Sequence, residues 1–165
     1  MKLIAKGWVC PAILVALLLV VASMLYKFIV AGSTEKGEDG RVAVVLTPAE
    51  RGFVLLEMRN FVGGLQLIAS GLSRNDMESV AKAARAMGMA TAQDAPLALA
   101  GKLPLEFKTL GFGVHREFDT LAQDAERLGD SKHVLVQLSD ILQKCEACHA
   151  SFQIRIEAVR SQAGP

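Results

Sequence analysis

"TPAERGFVLLEMRNFVGGLQLIASGL", residues 47–72, decides the fold class. Thr47 offers a capping hydroxyl, Pro48 takes the first helical position and Glu50 falls three past the cap. Together they satisfy the N–H groups that a helix start leaves without partners. Behind this cap Met58, Phe61, Leu65, Ile68 and Leu72 recur at steps of three and four, the spacing of one apolar seam along a helix. The stretch predicts a helix from about Pro48 to Leu72 with one face turned to a core.

Toward the C-terminus, "NDME" repeats the start signal, with Asn75 as cap and Glu78 three later. The second helix carries Met77, Val80, Ala84 and Met87 inward before Gly88. Residues 89–104 contain two prolines and read as a long connection across one end of the fold. A third helix is expected from about Val114 to Leu128, with Val114, Phe118, Leu121 and Ala125 inward. Gly111 and Gly113, each costing about 1 kcal/mol inside a helix, blur its start. Gly129 ends it, and Asp130 or Ser131 caps a fourth helix running to about Val159. The seam of that helix is Val134 or Leu135, Leu138, Ile141 or Leu142, Cys145, His149, Phe152 and Ile156. "RVAVVL", residues 41–46, is the only strand-like piece. Four amphipathic helices with short loops predict an all-α chain: an antiparallel four-helix bundle over 47–160, followed by a tail, 161–165.

Before the bundle, "MKLIAKGWVCPAILVALLLVVASMLYKF" has Lys2 and Lys6 and then no charge from Gly7 to Tyr26. As a helix that run spans about 30 Å, the thickness of a bilayer's hydrocarbon core. Trp8 and Tyr26 lie near its ends, where amphipathic rings favour the headgroup level. The apolar stretch is longer than that of a cleaved signal peptide, and "IVAGS" is a poor cleavage site. Residues 1–30 are therefore expected to form an uncleaved transmembrane helix, with Cys10 as apolar filler. Lys2, Lys6 and the terminal amine outweigh Lys27, so the positive-inside rule points to an exported, periplasmic domain. Cleavage would instead leave a soluble periplasmic protein. "AGSTEKGEDGR" is small, polar and glycine-rich, so residues 31–46 are expected to act as a tether.

With 165 residues and a net charge of +1, the chain has no basic stripe with interleaved aromatics, and nucleic-acid binding has no support. Three cysteines cannot form a disulfide framework, and two of them fall in "KCEACHASF", residues 144–152. On a helix Cys145 and His149 share a face, and Cys148 lies about 100° from His149. Two thiols and an imidazole can then border one object set against the seam. Cys-x-x-Cys-His is the attachment signature of haem c, each thiol bonding a vinyl group and the histidine supplying an axial nitrogen to iron. A thioredoxin-like pair needs its first thiolate at a helix start beside a strand, whereas this pair lies deep in the last helix. A structural zinc site needs four ligands, and His115 and His133 are not at finger-like spacing. Chance placement of two buried cysteines and a core histidine is the remaining alternative.

Met58 lies about ten residues into the first helix and His149 about ten from the end of the fourth, levels that coincide in an antiparallel pair. Met58 is thus the expected second axial ligand, with Met87, Met89 or no protein ligand as alternatives. Phe61, Leu65 and Phe152 are expected to wall the cofactor. Arg59 and Arg155 are candidates for the haem propionates, with plain solvated arginines as the alternative. His115 and His133 are expected at the surface.

With its bundle, "CEACH" near the C-terminus and a methionine early in helix one, the chain resembles the class II c-type cytochromes, the cytochrome c-prime family, over about residues 48–160. That family is a standard example of the up-and-down bundle. The chain is also similar to the non-covalent four-helix cytochrome b of bacterial periplasms, whose "FD-x-L" is matched by "FDTL", residues 118–121. There a helix-one methionine and a helix-four histidine ligate iron, which correspond to Met58 and His149. Many c-prime proteins carry an arginine four residues after the proximal histidine, where this chain has Gln153, with Arg155 two further on. Its methionine resembles the low-spin branch, and its membrane helix is extra to the usual soluble form.

These readings converge on a membrane-tethered carrier of single electrons rather than an enzyme, with one haem c per chain and no catalytic residue. Its expected partners are redox proteins at the membrane, with a homodimer left open. The alternative is a five-coordinate haem protein binding small gases beside Phe61 and Leu65. A thiol-disulfide enzyme would require free thiols.

Overall fold

A computed structural model of the chain describes residues 5–157. Lys2, the end of the expected fourth helix at Val159 and the tail 161–165 lie outside the described residues. Helix α1 (Ala5–Leu25) continues into a π-helical turn, Tyr26–Ala31, and no residue between Trp8 and Ala31 is buried. This apolar rod is long enough to cross a membrane. The rest of the chain is mostly helical: α2 (Pro48–Ser73), α3 (Met77–Arg85), α4 (Met89–Ala92), α5 (Leu97–Lys102), α6 (Leu105–Leu128) and α7 (Ser131–Ser151). Three short strands join them: β1 (Thr34–Lys36), β2 (Val42–Leu46) and β3 (Phe152–Ile156).

The start of α2 is the expected one. Thr47 N–H donates to Glu50 Oε2 at 2.8 Å while Glu50 N–H donates to Thr47 Oγ1 at 3.3 Å. Helix α3 starts one residue later than the sequence suggested. Asp76 caps it by accepting from Ser79 N at 3.0 Å, and Asn75 takes the left-handed turn at φ 54° that an asparagine tolerates. The connection 89–104 is not irregular but folds into α4 and α5. Helix α6 begins at Leu105 and runs through Gly111 and Gly113. Phe107 and Leu110, one turn before those glycines, pack against a core and hold the early turns helical.

The largest correction falls at the C-terminal end. Helix α7, capped by Asp130 donating no proton but accepting from Lys132 N and His133 N, stops at Ser151 instead of reaching Val159. The chain turns into β3, which pairs in parallel with β2 from Val42↔Phe152 to Leu46↔Ile156. Antiparallel β1 completes a sheet of order β1-β2-β3. Arg41 secures the change of direction by donating to His149 O at 3.2 Å and Phe152 O at 3.3 Å. The chain is therefore not all-α. Residues 31–46, expected as a tether, hold a sheet whose central strand buries Ala43, Val44 and Leu46.

Helix α2 packs on α3, α3 on α6 and α6 on α7. Their inward faces form one core around Ile68, Val80, Phe118, Leu121, Val134 and Ile141. A second core, Val44, Leu46, Val54, Leu99 and Phe152, lies where the sheet meets α2 and α5. Cys145 packs against the first and Cys148 against the second, so the Cys-x-x-Cys-His segment sits at their junction.

Candidate cofactor site

Parallel pairing sets the end of α7, which precedes β3, beside the start of β2, and the start of α2, which follows β2, beside the end of β3. Arg51, Leu55 and Met58 from the first turns of α2 nevertheless border one cleft, of about 270 Å³, with Cys148 and His149 of α7. Its walls are Met58, Leu55 and Arg51 from α2, Cys148 and His149 from α7, Phe107 from α6, and Phe152, Gln153 and Ile154 from β3, with Arg41 at the edge. Phe107 and Phe152 meet edge to face at 5.4 Å and form its floor against the second core. His149 is exposed, and Met58 is half-buried.

Of the residues expected to hold a cofactor, Met58, Cys148, His149 and Phe152 share this cleft. Cys145 stands one turn earlier on α7, half-buried against the first core. Phe61 and Leu65 do not line the cleft. They pack into the first core, Phe61 with its ring 5.7 Å from Phe118 and 5.1 Å from His115. Arg59 is exposed, and Arg155 turns to the other edge of the sheet, pairing with Glu35 at 3.1 Å and Glu38 at 3.5 Å. The guanidinium groups that face the cleft are Arg41 and Arg51. Met87 is buried against Gly64 in the first core, and neither it nor Met89 borders the cleft.

Arg51 and Leu55 were legible in the sequence. Stepping back from Met58 by three and then four gives Leu55 and Arg51, the continuation of the same helical face. Arg41 carried no such signal, because its place depends on the pairing of β2 with β3. His133 is exposed as expected, 3.2 Å from Asp124. His115 is not at the surface: it is 5% exposed, with Nδ1 2.8 Å from Met87 O and Nε2 3.5 Å from Glu57 Oε1. The ring's polar edge is satisfied there, because Met87 O in the turn between α3 and α4 accepts its Nδ1–H.

Burial pushes both motif thiols up. Cys145 lies above the ordinary 9.0, and Cys148 is pushed up to about 11 by burial, with Cys145 and Glu106 adding to it. A thiol-disulfide enzyme needs the opposite, a stabilised thiolate at a helix start. Among the described residues, no three or more His, Cys, Asp or Glu side chains converge on one point. The residues that could hold a covalent haem are Cys148, His149 and Met58 on the cleft, with Arg41 and Arg51 there for carboxylates, and Cys145 one turn away against the first core.

Comparison with family models, with curated proteins and with solved structures found no match.

Proposed function

We propose that this chain is a membrane-anchored class II c-type cytochrome that carries single electrons. In this reading α2, α3, α6 and α7 are the four helices of the antiparallel bundle, elaborated by the sheet. The observation that carries it is the cleft that Met58 lines together with Cys148 and His149. Cys145 and Cys148 would hold the haem covalently through their sulfurs, and His149 and Met58 would supply nitrogen and sulfur donors to its iron. Haem iron with histidine and methionine ligands supplies one-electron chemistry at a raised reduction potential.

The remaining roles belong to the chain itself. Arg41 fixes the backbone at His149 by holding its carbonyl, and with Arg51 it offers positive charge to propionates. Phe107, Phe152 and Leu55 exclude water from the inner wall. Met58 on the cleft favours electron transfer over the gas-binding alternative, because its thioether would take the position that a gas would otherwise occupy.

Two features support an anchor over a cleaved leader. Lys108 Nζ donates to Phe28 O at 3.1 Å, and Ser33 N–H donates to Lys102 O at 2.7 Å, so the junction with α1 is part of the domain's bonding. The domain is assigned to the periplasmic side, where a membrane redox protein is its partner. Optical spectra of the matured chain test the reading. A low-spin reduced spectrum, with a sulfur-to-iron band in the oxidised form that disappears in Met58→Ala, is the expected result. A high-spin spectrum that responds to carbon monoxide before mutation would move the assignment to gas binding.

A further inference from the structure

Beyond the cofactor cleft, two open grooves flank the turn where α1 leaves the apolar rod. One, about 580 Å³, lies between Phe28 and α5, walled by Leu97, Ala98, Gly101 and Lys108. The other, about 630 Å³, lies between Val30 and the starts of α6 and the end of α7, walled by Leu105, Leu110 and Ala147. Leu97, the first residue of α5, is 89% exposed, more than Trp8 in the apolar rod at 80%. Leu105, the first residue of α6, is also exposed. Single exposed apolar side chains are ordinary on a surface, but Leu97 and Leu105 each wall a groove that also has a residue of the rod's last turn in its wall.

We propose that the start of α5 and the start of α6 form a second membrane-contacting surface, lying in the acyl–headgroup boundary beside the transmembrane helix. The proposal rests on the reading of α1 as an anchor. The apolar rod Trp8–Ala31 has 24 residues, about 36 Å as a helix, longer than a hydrocarbon core of about 30 Å. Its last turn, with Phe28 and Val30, therefore reaches the boundary layer. The domain cannot stand away from that layer. A Cβ on Gly32 would lie 2.5 Å from Lys102 O, and Ser33 N–H bonds the same carbonyl, which fixes the end of α5 against the end of the rod. Lys108 reaches Phe28 O from α6 and fixes that helix at the same level.

The bilayer is the occupant that this continuity selects, since both grooves share a wall with the rod. Lys27 and Lys108 place two ammonium groups at the boundary, where lipid phosphates lie. The consequence for the proposed carrier is geometric. Ala147 borders the Val30 groove and immediately precedes Cys148, so the attachment motif is held close to the membrane surface.

Photocrosslinking of the full chain in phospholipid vesicles tests this directly. A diazirine amino acid is placed singly at Leu97, Leu105, Leu19 or Val136, and the adducts are identified by mass. Lipid adducts at Leu97 and Leu105, several-fold above those at the exposed Val136 on α7, are the expected result. Lipid adducts at Leu19 without any at Leu97 overturn the second surface while leaving the anchor intact. Protein–protein adducts at Leu97 overturn it in favour of a second copy. Absence of lipid adducts at Leu19 removes the anchor reading and this proposal with it.

Discussion

Met58 on α2 and His149 on α7 line one cleft, although one lies near the beginning and the other near the end of the folded domain. For the proposed haem-bearing protein, replacing Met58 with alanine should convert a low-spin spectrum to a high-spin one. Because the side chain is only half-buried, the loss of folding stability should sit at the lower end of methionine truncations, about 2 kcal/mol. Paired optical and denaturant titrations separate the two effects.

Arg41 joins the loop after β1 to the carbonyls of His149 and Phe152, where α7 gives way to β3. Arg41→Ala leaves those carbonyls to water and should cost about 1–2 kcal/mol, the scale of hydrogen bonds from a charged donor. Arg41→Lys should recover only part of this, since one ammonium replaces a fork that also pairs with Asp39 at 2.6 Å. Thermal melts of the three proteins check the order.

Helix α2 offers a contrast within one element. A Cβ on Gly71 would lie 2.7 Å from Val80 Cγ2 and 3.1 Å from Asp76 O, so Gly71→Ala should destabilise by about 1–3 kcal/mol. A Cβ on Gly63 meets nothing within 4 Å, and Gly63→Ala should stabilise by about 0.5–1 kcal/mol through helix propensity. Equal shifts in both variants would contradict the packing of α2 on α3.

Glu50 links the first turn of α2 to Lys102 of α5 at 2.8 Å, and Lys102 also holds Glu157 at 2.7 Å. Burial alone would raise the Glu50 carboxyl, but Lys102 and the Thr47 hydrogen bonds outweigh it and hold it below 4.5. A carboxyl depressed by folding contributes stability above its unfolded value and loses it as pH falls through that value toward the folded one. Glu50→Gln should therefore lower stability by about 1 kcal/mol at neutral pH. The gap to the parent protein should narrow below about pH 4. Melting curves from pH 7 to 3 read the convergence.

Local signals carried far in this chain. The cap at Thr47 and Glu50, the seam from Met58 to Leu72 and the stop at Gly129 all act within a few residues, so the sequence determined where α2 begins and where α6 ends. Cys145, Cys148 and His149 fall within five positions, so helix geometry alone places them on adjoining turns of α7. Other choices needed partners distant in the chain. Phe152 and Ile156 fit a helical step of four, while Phe152, Ile154 and Ile156 fit a strand's step of two. Only the edge of β2, some hundred residues earlier, selects the strand. The same pairing brings Arg41 to the cleft and turns Arg155 away to Glu35. His115 is buried where Met87 O, from the turn between α3 and α4, and Glu57, from α2, face its ring nitrogens. Periodicity fixes which face of an element is apolar, but hydrogen-bonding partners across the fold decide which polar groups can follow it inside.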